Sequence, residues 1–261
     1  MELPIFPLNS VLCPGIALPL HIFEDRYRAL VRHCIDTTSP FGIVLIREGR
    51  EVGTGAIAFT GIGTIAEIRD AGRYEDGRFD LLVVGTRRFE IKRVLGGRRP
   101  YLVAEVDILE EEVGDEVTAH RLAMTATRRF VTYLELLQPR SGETAEEIDV
   151  RVEVETADDE EDDDAEVSEE SGEAEGVEGQ AGDDAPRTRR VMIPDDPTVL
   201  SYLLAGILQV ESPRRQALLE AATTEARLRT LLRTIDREIF LLERRLRFFH
   251  PDSRLQGSRR S

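Results

Sequence analysis

Pro4 and Pro7, the pair Pro14-Gly15 and the alternating run Leu18, Leu20, Ile22 leave the start of this chain very few local structures to adopt. Proline has no N–H, so Ile5-Phe6 between two prolines predicts a strand at a sheet edge, where no ladder bond is lost. Pro14-Gly15 predicts a turn, because proline presets the first turn angle and glycine accepts positive φ. Leu18, Leu20 and Ile22 alternate with Pro19, His21 and Phe23, which is the period of a half-buried strand. Glu24 and Asp25 then open a helix whose Tyr27, Leu30, Val31 and Cys34 share one face. The expected order is strand, turn, strand, helix.

Short strands continue the pattern. The apolar run from Phe41 to Ile46 predicts a strand buried on both faces. Residues 56–68 carry apolar residues interrupted by glycine, which predicts a bent strand or two strands at a barrel corner. Gly53-Thr54-Gly55 and Gly61-Ile62-Gly63 read as bulges or tight bends. Asp76-Gly77 predicts a hairpin turn before the strand Phe79 to Val84. Residues 87–95 and 101–109 pair across Gly96-Gly97. Such short sequential strands argue for a small, partly open barrel. Residues 115–137 predict a long helix with Val117, Leu122, Ala123, Ala126, Phe130, Val131, Leu134 and Leu137 on one face, stopped by Gln138-Pro139. Asp196 and Pro197 predict the cap and first turn of another helix, and Ser212-Pro213 start the next in the same way. In the last helix, Leu228, Leu232, Ile235, Ile239, Leu242, Leu246 and Phe249 form a heptad seam. That seam predicts packing against the 115–137 helix, or self-association through its distal turns.

The string Pro4-Ile5-Phe6-Pro7-Leu8, then Val11-Leu12-Cys13-Pro14-Gly15, then Leu18-Pro19-Leu20-His21-Ile22-Phe23-Glu24-Asp25-Arg26-Tyr27 resembles the opening of the Lon N-terminal domain family. That is the substrate-binding domain of Lon-type ATP-dependent proteases. The resemblance resumes at Asp196-Pro197-Thr198-Val199-Leu200, at Arg215 to Glu220 and at Ala226-Arg227-Leu228. It covers residues 1–140 and about 190–250. It implies an α+β fold, a PUA-like β pseudo-barrel followed by a C-terminal helical bundle. The expected organisation is a barrel subdomain over 1–114, helices over 115–140 and 190–250, a disordered acidic insert over 141–189 and a flexible tail over 251–261. The insert is rich in Asp and Glu and poor in large apolar residues, so burial cannot offset its ordering entropy. It carries more negative charge than the net −16 of the whole chain, so the remainder is mildly basic.

A full-length Lon protease needs one lysine in a phosphate-cradling loop and another beside its nucleophilic serine. Lys92 is the only lysine here, and it sits in the strand-like run Arg88 to Arg93 with no glycine loop before it. No G-x-S-x-G elbow, H-E-x-x-H or dinucleotide fingerprint is present. The expectation is a non-enzymatic substrate-binding domain standing alone, with no catalytic residues, no metal and no cofactor. Cys13 and Cys34 form no C-x-x-C pair and have no zinc spacing with His21 and His33. No apolar stretch reaches membrane-spanning length, and Met1-Glu2 leads straight into a strand, so a cytoplasmic protein with reduced thiols is expected.

The resemblance implies binding of unfolded or apolar polypeptide segments, in an adaptor or quality-control role with a protease or chaperone as partner. His21, Glu24 and Arg26 are the polar residues within an otherwise apolar stretch and are the candidate contacts. They face a cleft, or they satisfy one another. Phe6, Pro7, Pro14, Gly15, Phe23 and Tyr27 read as fold determinants. The alternatives are RNA binding, through Arg227, Arg229, Arg233, Arg237, Arg244, Arg245 and Arg247 of the last helix, and small-molecule binding. Aromatics do not interleave with those arginines in a stacking pattern, and nearby acids offer them helix ion pairs. The acidic insert is either a solvated spacer or an intramolecular cover for that basic helix.

Overall fold

Pro4 and Pro7 stand on the strand that closes the sheet, rather than on an edge strand. The computed structural model describes residues 1–48, 58–96, 99–137, 152–153, 191–192 and 194–249. In it, β1 (Glu2–Leu8) pairs antiparallel with β7 (Leu102–Ile108) through Glu2 to Ile5, and parallel with β3 (Phe41–Glu48) through Ile5 to Leu8. The expected edge position is therefore corrected. The prolines are tolerated because the two pairings occupy opposite halves of the strand. β3 is not paired at Pro4 and β7 is not paired at Pro7, so each missing N–H has an open flank beside it.

The ring runs β1-β7-β6-β5-β3 and back to β1, with β5 (Ile62–Arg73) and β6 (Phe79–Leu95) its longest members. β4 (Ala58–Phe59) extends it from β3, and β2 (Ala17–Ile22) lies beside β6. β6 is one continuous strand, where the sequence suggested a break after Val84. Irregular register against β5 and β7 bends it instead. The predicted turns stand: Gly15 and Gly77 both take positive φ. Gly53-Thr54-Gly55 lies outside the described residues.

Leu3, Ile5, Val44, Ile65, Phe89, Ala104 and Val106 form one core cluster, fed by every strand of the ring. Phe89 fills it only because Gly42 and Gly63 lack side chains. A Cβ at Gly42 would come 2.6 Å from Phe89 Cζ, and one at Gly63 would come 2.3 Å from the Ile43 carbonyl and 2.8 Å from the same ring. The other face of β1 carries Phe6 and Leu8 into a second cluster under α1 (Asp25–Thr37). The predicted stripe Tyr27, Leu30, Val31 and Cys34 is fully buried there, with Phe6 and Tyr27 ring centroids 4.2 Å apart. Each such side chain contributes about 1.5–3 kcal/mol by leaving water.

The helices pack as α2 (Glu116–Leu137) along α5 (Thr224–Phe249), with α3 (Pro197–Ile207) and α4 (Ser212–Leu219) beside α5. The buried face of α2 is Ala119, Ala123, Ala126, Phe130 and Tyr133. Val117, expected on that face, is 79% exposed in the first turn, and the heptad phase runs through Ala119 instead. Alanines on α2 let α5 approach with Leu228, Leu231, Ile235 and Ile239, which are buried. The side chains of Leu246 and Phe249 lie outside the described residues. Asp196 caps α3 as expected, accepting from the amides of Thr198 and Val199. Ser212 does not cap α4; its hydroxyl donates to the Asn9 carbonyl.

Barrel and helices join through buried charge. Arg88 of β6 is 2% exposed and Arg227 of α5 is fully buried. Glu111, just after β7, accepts from both guanidinium groups, at 2.8 Å from Arg88 Nε and 3.3 Å from Arg227 Nη2. Arg88 also donates to the Leu219 and Ala221 carbonyls, and Arg227 to the Leu218 carbonyl and Ser201 Oγ. Tyr202 donates to Glu111, and its ring lies 3.8 Å beneath the Arg227 guanidinium. Burial pushes the Tyr202 phenol far above its ordinary pKa and lowers that of Arg227. Two guanidinium groups on one carboxylate leave a surplus cation, which the carbonyls and the aromatic ring solvate in place of water.

Residues Gln138–Ile193 form a separate unit. Within it, Val152–Glu153 pairs in parallel with Val191–Met192. The rest of the expected disordered insert, and the expected tail over 251–261, lie outside the described residues.

Arg227→Met is expected to cost about 1–3 kcal/mol in urea unfolding, because it leaves the Leu218 carbonyl and the Ser201 hydroxyl without their buried donor. Arg229→Met on the exposed side of the same helix should stay within about 0.5 kcal/mol of wild type. Gly63→Ala should lower stability by about 1–3 kcal/mol or more through overpacking against the Ile43 carbonyl and Phe89, read from the same denaturation curves.

Candidate functional site

One end of the barrel presents aromatic side chains to solvent. β2 alternates strictly: Leu18, Leu20 and Ile22 turn toward the core, and Ala17, Pro19 and His21 turn outward. β6 alternates beside it, with Phe79, Leu81 and Val83 inward and Asp80 and Leu82 outward. The register sets His21 opposite Asp80 and Pro19 opposite Leu82. Phe23 follows β2 at 50% exposure, and Tyr74 follows β5 at 45%. Leu82, at 42%, completes the apolar surface.

Asp80 organises this strip. Its Oδ1 lies 2.6 Å from His21 Nδ1, and its Oδ2 accepts the Tyr74 hydroxyl. The Tyr74 hydrogen bond, and then that of His21, hold the Asp80 carboxyl below its ordinary range; the bond to Asp80 pushes the Tyr74 phenol up. The His21 ring stacks toward Phe23, with centroids 6.2 Å apart, and meets Tyr74 edge-on at 6.3 Å. Arg78 lies 5.4 Å over the Tyr74 ring and pairs with Asp76. From α1, Arg28 donates to the Asp76 and Gly77 carbonyls, at 2.9 and 2.8 Å, so the hairpin turn below Tyr74 is fixed from a second element. The result is an aromatic surface beside a strand, β2, whose one strand partner among the described residues is β6.

Of the three sequence candidates, His21 lies in this strip. Glu24 and Arg26 do not join it. They pair with each other at 3.1 Å where α1 begins, mostly covered, and the Arg26 guanidinium rests 4.4 Å over the Tyr27 ring. Phe23, read from sequence as a fold determinant, is half exposed, whereas Phe6 and Tyr27 are core. Tyr74 and Leu82 were missed. The signal for Leu82 was present, since an apolar residue stands at an outward position of a run that should alternate.

The model of the ATP-dependent protease La (LON) substrate-binding domain family matches residues 2–237. The Lon protease of Anaeromyxobacter dehalogenans (strain 2CP-C) is 30% identical over 137 residues, which is 52% of this chain and 16% of that protein. Lon protease 2 of Myxococcus xanthus is 33% identical over 115 residues, 44% of this chain and 14% of that protein. The chain thus matches a small part of the length of these relatives. The crystal structure of a Lon N-terminal domain protein from Xanthomonas campestris superposes with a TM-score of 0.52 at 26% identity, covering 89% of this chain and 97% of that one. The N-terminal domain of the Mycobacterium avium complex Lon protease shares the fold, with a TM-score of 0.51 at 18% identity over 90% and 98% of the two chains.

The two thiols stand apart from the strip. Cys13 and Cys34 are both buried, and burial pushes each thiol up to about 11. At pH 8 the thiolate is then about one part in a thousand, too scarce for a nucleophile. Among the described residues no helix is long and apolar enough to cross a membrane. A colorimetric disulfide reagent at pH 8 should leave both cysteines unmodified in the native protein and titrate both once urea unfolds it. Rapid reaction of either thiol in the native protein would contradict the burial.

Proposed function

This chain belongs to the ATP-dependent protease La (LON) substrate-binding domain family, and on that premise we propose that it recognises polypeptide segments exposed by other proteins. The family match over residues 2–237 is the observation that carries the reading. The proposed contact surface is the strip of Phe23, His21, Tyr74 and Leu82. Exposed, rigid aromatics suit apolar and aromatic side chains of a partner, because they offer large contact area at little entropic cost. The outer edge of β2 supplies backbone groups for an extended segment, with Pro19 omitting one donor. The proposed role is that of an adaptor or quality-control factor. It captures a segment and performs no chemistry on it.

RNA binding is less well supported. Arg227, the first arginine of the basic helix, is consumed inside the joint. Arg229 and Arg237 pair with Glu225 and Glu238.

Fluorescence anisotropy with labelled peptides tests the reading. Extended, C-terminally amidated peptides carrying two or more aromatic or large aliphatic residues should bind, and amidated Ser/Gly-rich peptides should not. Phe23→Ala and Tyr74→Ala should each weaken binding by about tenfold while leaving the urea midpoint nearly unchanged, since both side chains are half exposed. Equal affinity of wild type and the double variant would remove the strip from the interface.

A further inference from the structure

A second concavity, away from the strip, holds a different set of groups. It is an open concavity of about 600 Å³ between β1, the end of α1 and the segment leading into β7. That volume is in the range of small-ligand sites. Its walls include Pro4, Leu95 and Val103, which are apolar. Its polar side chains are Glu2, Arg99, Tyr101, His33, Thr37 and Ser39.

The hydrogen bonds show which of these groups still have something to offer. Thr37 Oγ1 donates to the His33 carbonyl at 2.6 Å and lies 2.7 Å from Ser39 Oγ, so the two hydroxyls serve each other and the end of α1. Arg99 Nη1 donates to the Tyr101 hydroxyl at 2.7 Å. That bond uses one of five guanidinium donors, and the Tyr101 hydroxyl, having accepted it, keeps its own proton to give. Among the described residues no carboxylate pairs with Arg99, in contrast to Arg28, Arg78, Arg88 and Arg93. The His33 ring stacks on Tyr101 with centroids 6.3 Å apart and holds it in place. A cation and spare donors therefore share one cavity with an apolar lining. That is the complement of a ligand with an anionic head and an apolar body. Glu2, the one acid of the lining, disfavours a second negative charge.

We propose that this cavity receives the C-terminal residue of a polypeptide, the carboxylate on Arg99 and Tyr101 and an apolar side chain against Pro4, Leu95 and Val103. The proposal rests on the reading of this chain as a polypeptide binder and adds a second, end-specific mode to it. The aromatic strip takes internal segments, and the cavity takes the end of a chain. A planar, bidentate guanidinium suits a carboxylate better than an ammonium does, and the neighbouring phenol supplies the third hydrogen bond.

The test is anisotropy on the full chain with a labelled Gly/Ser hexapeptide ending in phenylalanine, as the free acid and as the amide. The free acid should bind at least about tenfold more tightly than the amide, the effect of one charge-assisted hydrogen bond. Arg99→Gln should erase that difference, Arg99→Lys should keep part of it, and Glu2→Gln should strengthen binding of the free acid at low salt. Arg99 and Glu2 are exposed, so these variants should keep the wild-type urea midpoint. Equal binding of acid and amide, or a preference untouched by Arg99→Gln, overturns the proposal. Phenylpropionate as competitor separates the sources of the carboxylate. If it displaces the peptide at equal concentration, the cavity is a small-acid site and the chain-end assignment is overturned. If the hexapeptides fail to bind while internal aromatic peptides still bind, the cavity proposal falls alone and the polypeptide reading stands. If neither class binds, both fall.

Discussion

A seven-residue strand holds the barrel shut. β1 gives its first half to β7 and its second half to β3, and only Ile5 takes part in both registers. Its alternation also feeds both cores: Leu3 and Ile5 into the ring, Phe6 and Leu8 under α1. Much else hangs on this geometry. α1 has a floor because Phe6 and Leu8 face it, and the aromatic strip has a fixed shape because Arg28 of α1 reaches across to the β5–β6 turn. The cavity beside Arg99 exists because β1 lies next to the segment leading into β7. A ring also removes the long unpaired edges that an open sheet would present, leaving mainly the short outer strands β2 and β4 among the described residues.

The sequence was most legible where one periodicity decides the outcome. The α1 stripe, the alternation of β2, the Pro14-Gly15 and Asp76-Gly77 turns and the Asp196 cap each depend on a few neighbouring residues, and each stands as read. The place of β1 was not legible. Proline spacing reports which N–H groups are absent, but the neighbours of β1 are set by strands up to about a hundred residues away. Arg227 was hidden among other arginines. Its only mark is phase: it falls on the same helix face as Thr224, Leu231 and Thr234, all of them buried. In the candidate site, His21 could be picked out as a polar residue in an apolar stretch. Its partner Asp80 depends on the β2–β6 register, and Tyr74 on the hairpin that register leads to. Glu24 and Arg26 illustrate the converse, since a local pairing satisfied two residues whose isolation in the sequence drew attention to them.

The joint between barrel and helices uses charge where an apolar contact would serve. Buried ion clusters are seldom a large net source of stability, because desolvation consumes most of the Coulombic gain. What this one supplies is direction. Arg88 fixes the end of α4 through two carbonyls, Arg227 fixes it through a third, and Glu111 ties both to the end of β7. An apolar patch would allow the helices to slide; a set of directed hydrogen bonds specifies one seat. Gly206 passing against Ile16 adds a steric stop between α3 and the barrel, since a Cβ there would come 2.5 Å from the Ile16 side chain.

The double pairing of β1 also bears on how the chain emerges from a ribosome. β1 is made before its antiparallel partner, residues 102–108, which follows about a hundred residues later. At about 5–20 residues per second, that interval is roughly 5–20 seconds. Throughout it, Leu3, Ile5, Phe6 and Leu8 form an apolar ribbon with one flank unmatched, and the parallel pairing with β3 is the only one available early on. A chain that belongs to a substrate-binding domain family therefore carries, while it is being made, an apolar ribbon of its own that waits for its last strand partner.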